Sequence, residues 1–203
     1  MKKFSQVNLL SEELDSSYQG RGIVDRVFYR LMKQSSVMVH LNIPKPIYFR
    51  AEIFCEDVQE LSEILFTHND LLDLLYHDFL LYVKKNSDPQ SLYNLLIQIN
   101  HNPAAVKHYI EVDEVNEYLP VLSKTINPAD REKNIQTLVF RTKRKQALRG
   151  EVLLADLAEV YPDHHFTLEM VLEMLYIDFV EKLKRGENPQ ALNNIVRMLT
   201  ADE

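Results

Sequence analysis

The chain has 203 residues, enough for one domain or two small ones, and its 30 acidic and 23 basic residues give a net charge of -7. Its four glycines, Gly20, Gly22, Gly150 and Gly186, are too few and too scattered for a three-glycine dinucleotide loop or a phosphate loop ending Gly-Lys-Ser/Thr, which argues against the common nucleotide-binding folds. The acidic balance argues against nucleic-acid binding over the whole surface, and the single Cys55 excludes an internal disulfide and a cysteine-rich zinc site.

Residues 1–36 read as an N-terminal helical segment. Met-Lys-Lys-Phe is followed at once by Gln6 and Asn8, so no apolar stretch of signal-peptide length is present. No run approaches a membrane span. With one free cysteine, these features lead to the expectation of a cytoplasmic protein without membrane partners. Ile23, Val24, Val27, Phe28 and Leu31 have helical spacing within Arg21–Met32, and Gly20 with Gly22 form a hinge before them.

Val37, Val39, Leu41 and Ile43 alternate with polar or exposed-type residues, a strand pattern. Thr137-Leu-Val-Phe-Arg-Thr142 is the later equivalent. The two stretches pair in a small sheet or serve as extended connections, and a helix over 135–142 is an equal alternative. Pro44 and Pro46 open a predicted helix through Phe66, with Phe54, Val58, Leu61 and Leu65 on one stripe.

The strongest signal is internal. Asp70–Leu96 and Met170–Val196 align without a gap at an offset of 100, with ten of 27 positions identical. Tyr76/Tyr176, Asp78/Asp178, Phe79/Phe179, Pro89/Pro189, Gln90/Gln190 and Asn94/Asn194 are among them. The expected fold is mainly α: two tandem helical repeats, 37–100 and 136–203, packed about a pseudo-two-fold, with one short strand per repeat as an option. Residues 101–135 form a helical connector, the whole making one compact unit. Two copies with so long a period do not suit an open solenoid.

Each matched block reads as helix, break, helix. Lys184-Arg185-Gly186 supplies cations at the negative helix end and then a left-handed cap. Asp88-Pro89 and Asn188-Pro189 supply a capping side chain and a first-turn proline. The same signal at Asn102-Pro103 and Asn127-Pro128 predicts helices over 103–119 and 128–136, with Pro120 ending or kinking the first. Leu81-Tyr82 faces Glu181-Lys182 across the repeat. The first copy's long helix is therefore expected to be buried, its extra apolar face meeting residues 1–36 or the 103–119 helix, with a subunit or partner interface on that face as the rival reading. Its counterpart keeps a charged face carrying Glu169, Glu173, Glu181 and Lys182.

No catalytic motif stands out. Asp78 and Asp178 could share a proton or a metal, but a structural role for them and for Gln90, Gln190, Asn94 and Asn194 is the simpler reading. His68-Asn69-Asp70 with His77, and Asp163-His164-His165 with Glu169, lack metal-ligand spacing, and His77 is replaced by Ile177. Cys55 reads as a buried structural thiol. The anomaly is Arg141, Lys143, Arg144, Lys145 and Arg149, five cations in nine residues of an otherwise acidic chain. No aromatic residues interleave with them to stack bases.

The expected function is a non-enzymatic regulatory or adaptor protein, without cofactor or metal, that binds another protein through a helical platform and this patch. The alternatives are a nucleic-acid-associated protein using the patch, and a metal-dependent or hydrolytic enzyme at the repeat interface. Oligomeric state is left open.

Overall fold

A computed structural model of the protein describes residues 2–18, 35–86, 88–100 and 134–201. The predicted helices over Arg21–Met32 and 103–119, the Gly20/Gly22 hinge and the Asn102 and Asn127 helix starts lie outside these residues. Ile135 and Gln136, assigned above to the end of a helix, lie in a strand.

The described elements are α1 (Leu9–Tyr18), β1 (Ser36–Pro44), α2 (Lys45–Ser62), α3 (His68–Lys85), α4 (Pro89–Asn100), β2 (Ile135–Lys143), α5 (Arg144–Val160), α6 (Leu168–Lys184) and α7 (Ala191–Thr200). The protein is mainly helical, with one two-stranded antiparallel sheet among the described residues. Residues 137–142 are thus strand, not helix.

The ladder runs from Ser36 opposite Lys143 to Pro44 opposite Ile135, so Val39 faces Phe140 and Leu41 faces Leu138 on the covered side. Backbone bonds from Lys45 N–H to Asn134 O (2.8 Å) and from Arg144 N–H to Ser35 O (2.9 Å) extend the pairing at both ends. A two-stranded ribbon leaves two edges open to further pairing. Side chains satisfy amides on each edge: Asn42 N–H donates to Glu173 Oε1 (2.6 Å), and Arg141 N–H to Asn69 Oδ1 (2.8 Å).

Among the described residues each strand is followed by three helices. Helix α6 packs on β1 and α3 on β2, while α3 and α6 also meet each other. The third helix of each half crosses over: α4 packs on α5, and α7 on α2. Val39, Leu41, Ile43, Phe140, Leu72, Tyr76, Leu172 and Tyr176 lie in the resulting core.

Helix ends follow local chemistry. Both central helices begin at a threonine after a buried phenylalanine, Phe66-Thr67 and Phe166-Thr167. Thr67 N–H and Oγ1 both donate to Asp70 Oδ2 (2.8 and 2.6 Å), and Thr167 Oγ1 accepts Met170 N–H (3.3 Å). Gly186, at φ 71°, lets its own N–H reach Leu183 O and that of Glu187 reach Lys182 O, closing α6 as its sequence requires. Asp88 caps α4 by accepting Ser91 N–H (3.0 Å). Asn188 does not cap α7 with its side chain: that helix begins after Gln190, and Asn188 contributes only its carbonyl, to Ala191 N–H (3.2 Å).

Two expectations are corrected. Helix α2 ends at Ser62 rather than Phe66, because Glu63 turns left-handed (φ 59°) and gives its N–H to Gln59 O. Leu65 consequently leaves the apolar stripe and is 72% exposed, and Leu61, though still in the helix, is exposed as well. The burial contrast between the two long helices is also the reverse of that expected. Helix α6 is the enclosed one, burying Glu169, Glu173 and Glu181 with its apolar residues, whereas Leu81 and Tyr82 of α3 are exposed. Residues 2–18 do not cover α3: Phe4 O accepts Leu168 N–H (2.7 Å), and α1 packs on α5.

Candidate functional site

The basic cluster straddles the β2–α5 junction, and the fold divides it. Arg144 is drawn inward, where its guanidinium meets Glu12 (2.7 Å) and Glu13 (3.2 Å) of α1. Arg141 donates from Nε to Ser36 Oγ across the sheet (3.1 Å). Lys143 is exposed beside them. Lys145 and Arg149, one helical turn apart on α5, instead reach the wall of a groove.

This groove, about 710 Å³, lies between the end of α3, the start of α4 and the length of α5. Leu80, Val83, Leu92, Leu148, Val152 and Leu153 make its apolar lining. Lys84 adds a third cation, and Asp88 and Asp156 contribute carboxylates. Apolar walls with a few charges at the margin suit an amphipathic ligand better than a small polar substrate. The groove was not legible in the sequence, because it is made by the crossover of α4 onto α5.

Asp78 and Asp178 both line a second cleft of about 590 Å³, between α3, α4 and α6. Asp178 is paired with Lys182 (2.7 Å). The remaining repeated polar residues are on the outer helices. Gln90 Nε2 donates to Asn94 Oδ1 (3.0 Å), and the Tyr161 hydroxyl donates to Gln90 Oε1. Gln190 Oε1 accepts from Asn193 (3.5 Å), and Asn194 N–H donates to Gln190 O (2.9 Å). These four organise α4 and α7 locally and do not join the aspartates. Among the described residues no three His, Cys, Asp or Glu side chains are grouped to hold a metal.

The histidine spots are separate and differently employed. His68 stacks on Tyr48 (4.3 Å between ring centres) and its Nδ1 meets the Tyr176 hydroxyl (2.6 Å). His164 is buried; its Nε2–H donates to Leu154 O (3.1 Å) while Nδ1 accepts Phe166 N–H (3.2 Å), which defines a neutral ring. Burial lowers the pKa of both histidines below the ordinary value. In the unfolded chain both titrate near ~6.5, so below that pH the unfolded state binds more protons. Their contribution is therefore full above about pH 6.5 and declines as pH falls toward the folded-state values. The urea midpoint is expected to drop between about pH 7.5 and about pH 5.5, and His164→Gln to flatten that dependence. An unchanged pH profile in the variant would contradict it.

Cys55 is buried on α2, and loss of solvent, reinforced by Asp70, Glu52 and Glu56, pushes its thiol up to about 12. A thiol so protonated is a packing group and a poor nucleophile.

Sequence reasoning missed the buried glutamates. Glu151, 1% exposed, accepts the Ser5 hydroxyl and the N–H groups of Leu9 (2.9 Å) and Leu10 (2.5 Å). It thereby caps the start of α1 from a different helix. Glu169 accepts Gln6 N–H (2.7 Å). The available signal was Glu151's place within the apolar stripe of Ala147, Leu154 and Leu157, where a solvated glutamate does not belong.

Compared with models of known protein families, with curated proteins and with solved structures, the chain matches none. No described helix is long and apolar enough to cross a membrane.

Proposed function

We propose that the chain is a non-enzymatic cytoplasmic regulatory or adaptor protein that binds another protein through the groove between α3, α4 and α5. The apolar lining, with Lys145 and Arg149 from the basic cluster on its wall, is the observation that carries this reading. The lining supplies affinity and the charges supply orientation. Nucleic acid is a weaker candidate, since Arg144 is already engaged by two glutamates and cannot offer its charge to phosphate.

The platform itself is read as a tandem duplication, units 37–100 and 136–203, packed about a pseudo-two-fold. The repeated order of strand and three helices supports this, as do the crossing contacts of α4 with α5 and of α7 with α2. The matched Phe-Thr helix starts add to the 100-residue offset.

Val152 is exposed on the groove wall, so Val152→Asp places a charge there without disturbing the core. The wild-type chain is expected to retain a specific protein from its native host, and Val152→Asp to release it. Retention of every captured protein by that variant would exclude the groove as the binding surface.

A further inference from the structure

We infer that the occupant of this groove is an acidic amphipathic helix, a partner identity that rests on the protein-binding reading above. Three observations carry it.

The first is shape. The α5 wall from Lys145 to Asp156 runs about 16 Å along the helix axis, room for three turns of a second helix laid beside it. Leu148, Val152 and Leu153 place apolar side chains along that wall, while Leu80, Val83 and Leu92 face them from α3 and α4. A ligand with apolar residues at i, i+3, i+4 and i+7 fills such a channel.

The second is charge. Lys84, Lys145 and Arg149 line the groove and are exposed, and among the described residues none has an ion-pair partner. Arg144, next in sequence to Lys145, marks the contrast, because two glutamates of α1 neutralise it. Of the two acids at the groove, Asp88 is occupied by Ser91 N–H and Oγ (3.0 and 3.1 Å) at the start of α4. Asp156 stands two turns beyond Arg149 on α5.

The third is context. Outside residues 141–149 the chain holds 18 basic and 30 acidic residues, so three unpaired cations on an apolar channel run against its general balance. Carboxylates on the partner complement them, whereas a basic partner is repelled at the groove itself and drawn instead to the acidic surface elsewhere.

The test is a display selection of random peptides of about four turns against the full-length chain, followed by affinity measurement with the selected peptides synthesised. Enriched peptides are expected to be amphipathic and acidic. Lys145→Glu with Arg149→Glu should weaken them at least ~10-fold, and rising ionic strength should weaken them further. Exchanging their Glu for Lys should abolish binding. Since both rim residues are solvent-exposed, folding is preserved, and the milder Lys145→Gln with Arg149→Gln pair provides a graded control.

Peptides that need the groove, being lost in Val152→Asp, but are neutral or basic would overturn the acidic partner and leave the protein-binding reading standing. Peptides indifferent to Val152→Asp, or no enrichment at all, would overturn both. Self-association abolished by Val152→Asp would assign the groove to a second copy of the chain and equally overturn the inference.

Discussion

Tyr76→Ala is expected to cost about 4 kcal/mol of stability, because removing a large buried aromatic loses transfer energy and leaves a cavity. Tyr76 is fully buried on α3. Its ring contacts Phe79 and, edge-on, Phe140 of β2. Its hydroxyl donates to Gln146 O in the first turns of α5 (2.8 Å). One residue therefore joins the middle helix of the first half to the strand and first helix of the second. For a chain of this size the thermal midpoint should fall by roughly 10 °C. Tyr76→Phe keeps the ring and forfeits the hydrogen bond, so its cost should be near ~1 kcal/mol.

Gly150 provides the internal check. A methyl group there would strike the Tyr76 hydroxyl and come within 2.8 Å of Leu168. Gly150→Ala should thus destabilise by about 1–3 kcal/mol despite alanine's better helix propensity. The penalty should shrink in the Tyr76→Phe background, where the obstructing oxygen is gone. Additive costs in denaturant titrations of the two single variants and the double would refute direct contact at this crossing.

Glu151→Ala is expected to have the next largest effect, and a local one. The carboxylate is the only acceptor given to Leu9 N–H and Leu10 N–H among the described residues, at the start of α1 where amides lack intrahelical partners. Two charge-assisted bonds, one to a buried and one to a part-buried amide, with the Ser5 hydroxyl as a third donor, put the loss on the order of 3 kcal/mol. Leu9, fully buried beneath this contact, should be released with the segment. Hydrogen exchange should show lost protection over residues 5–14 and near-native protection in α3 and α6. Glu151→Gln retains an oxygen acceptor and should fall between wild type and alanine. Arg144→Ala removes the second tie of α1 to α5, but its glutamate partners are partly solvated, so about 1 kcal/mol or less is expected. Uniform loss of protection across the chain in Glu151→Ala would show that the glutamate supports the whole fold and not the N-terminal segment.

Much of the local structure was legible in the residues. Val37 to Ile43 alternates because one face of β1 is covered and the other is not. Gly186 ends α6 because only glycine takes that backbone angle without strain. Asp88 and Thr167 cap helices by chemistry confined to one turn. The Asp70–Leu96 and Met170–Val196 correspondence shows in the sequence without reference to any fold.

The roles of charged residues were not legible, because they depend on what is brought near from afar. Glu169 and Glu173 read as a solvated face, yet Gln6 and Asn42 present backbone amides to them from distant segments. Leu81 and Tyr82 read as buried, yet both are exposed while α6 is the enclosed helix. The five cations read as one patch. Only tertiary structure separates Arg144, held by α1, from Lys145 and Arg149, which face the groove. Periodicity and caps act over one or two turns, and the sequence determines them by itself. A groove, a buried carboxylate and a paired cation each need two segments to meet, and the crossover of α4 onto α5 and the docking of residues 2–10 onto α5 and α6 decided them.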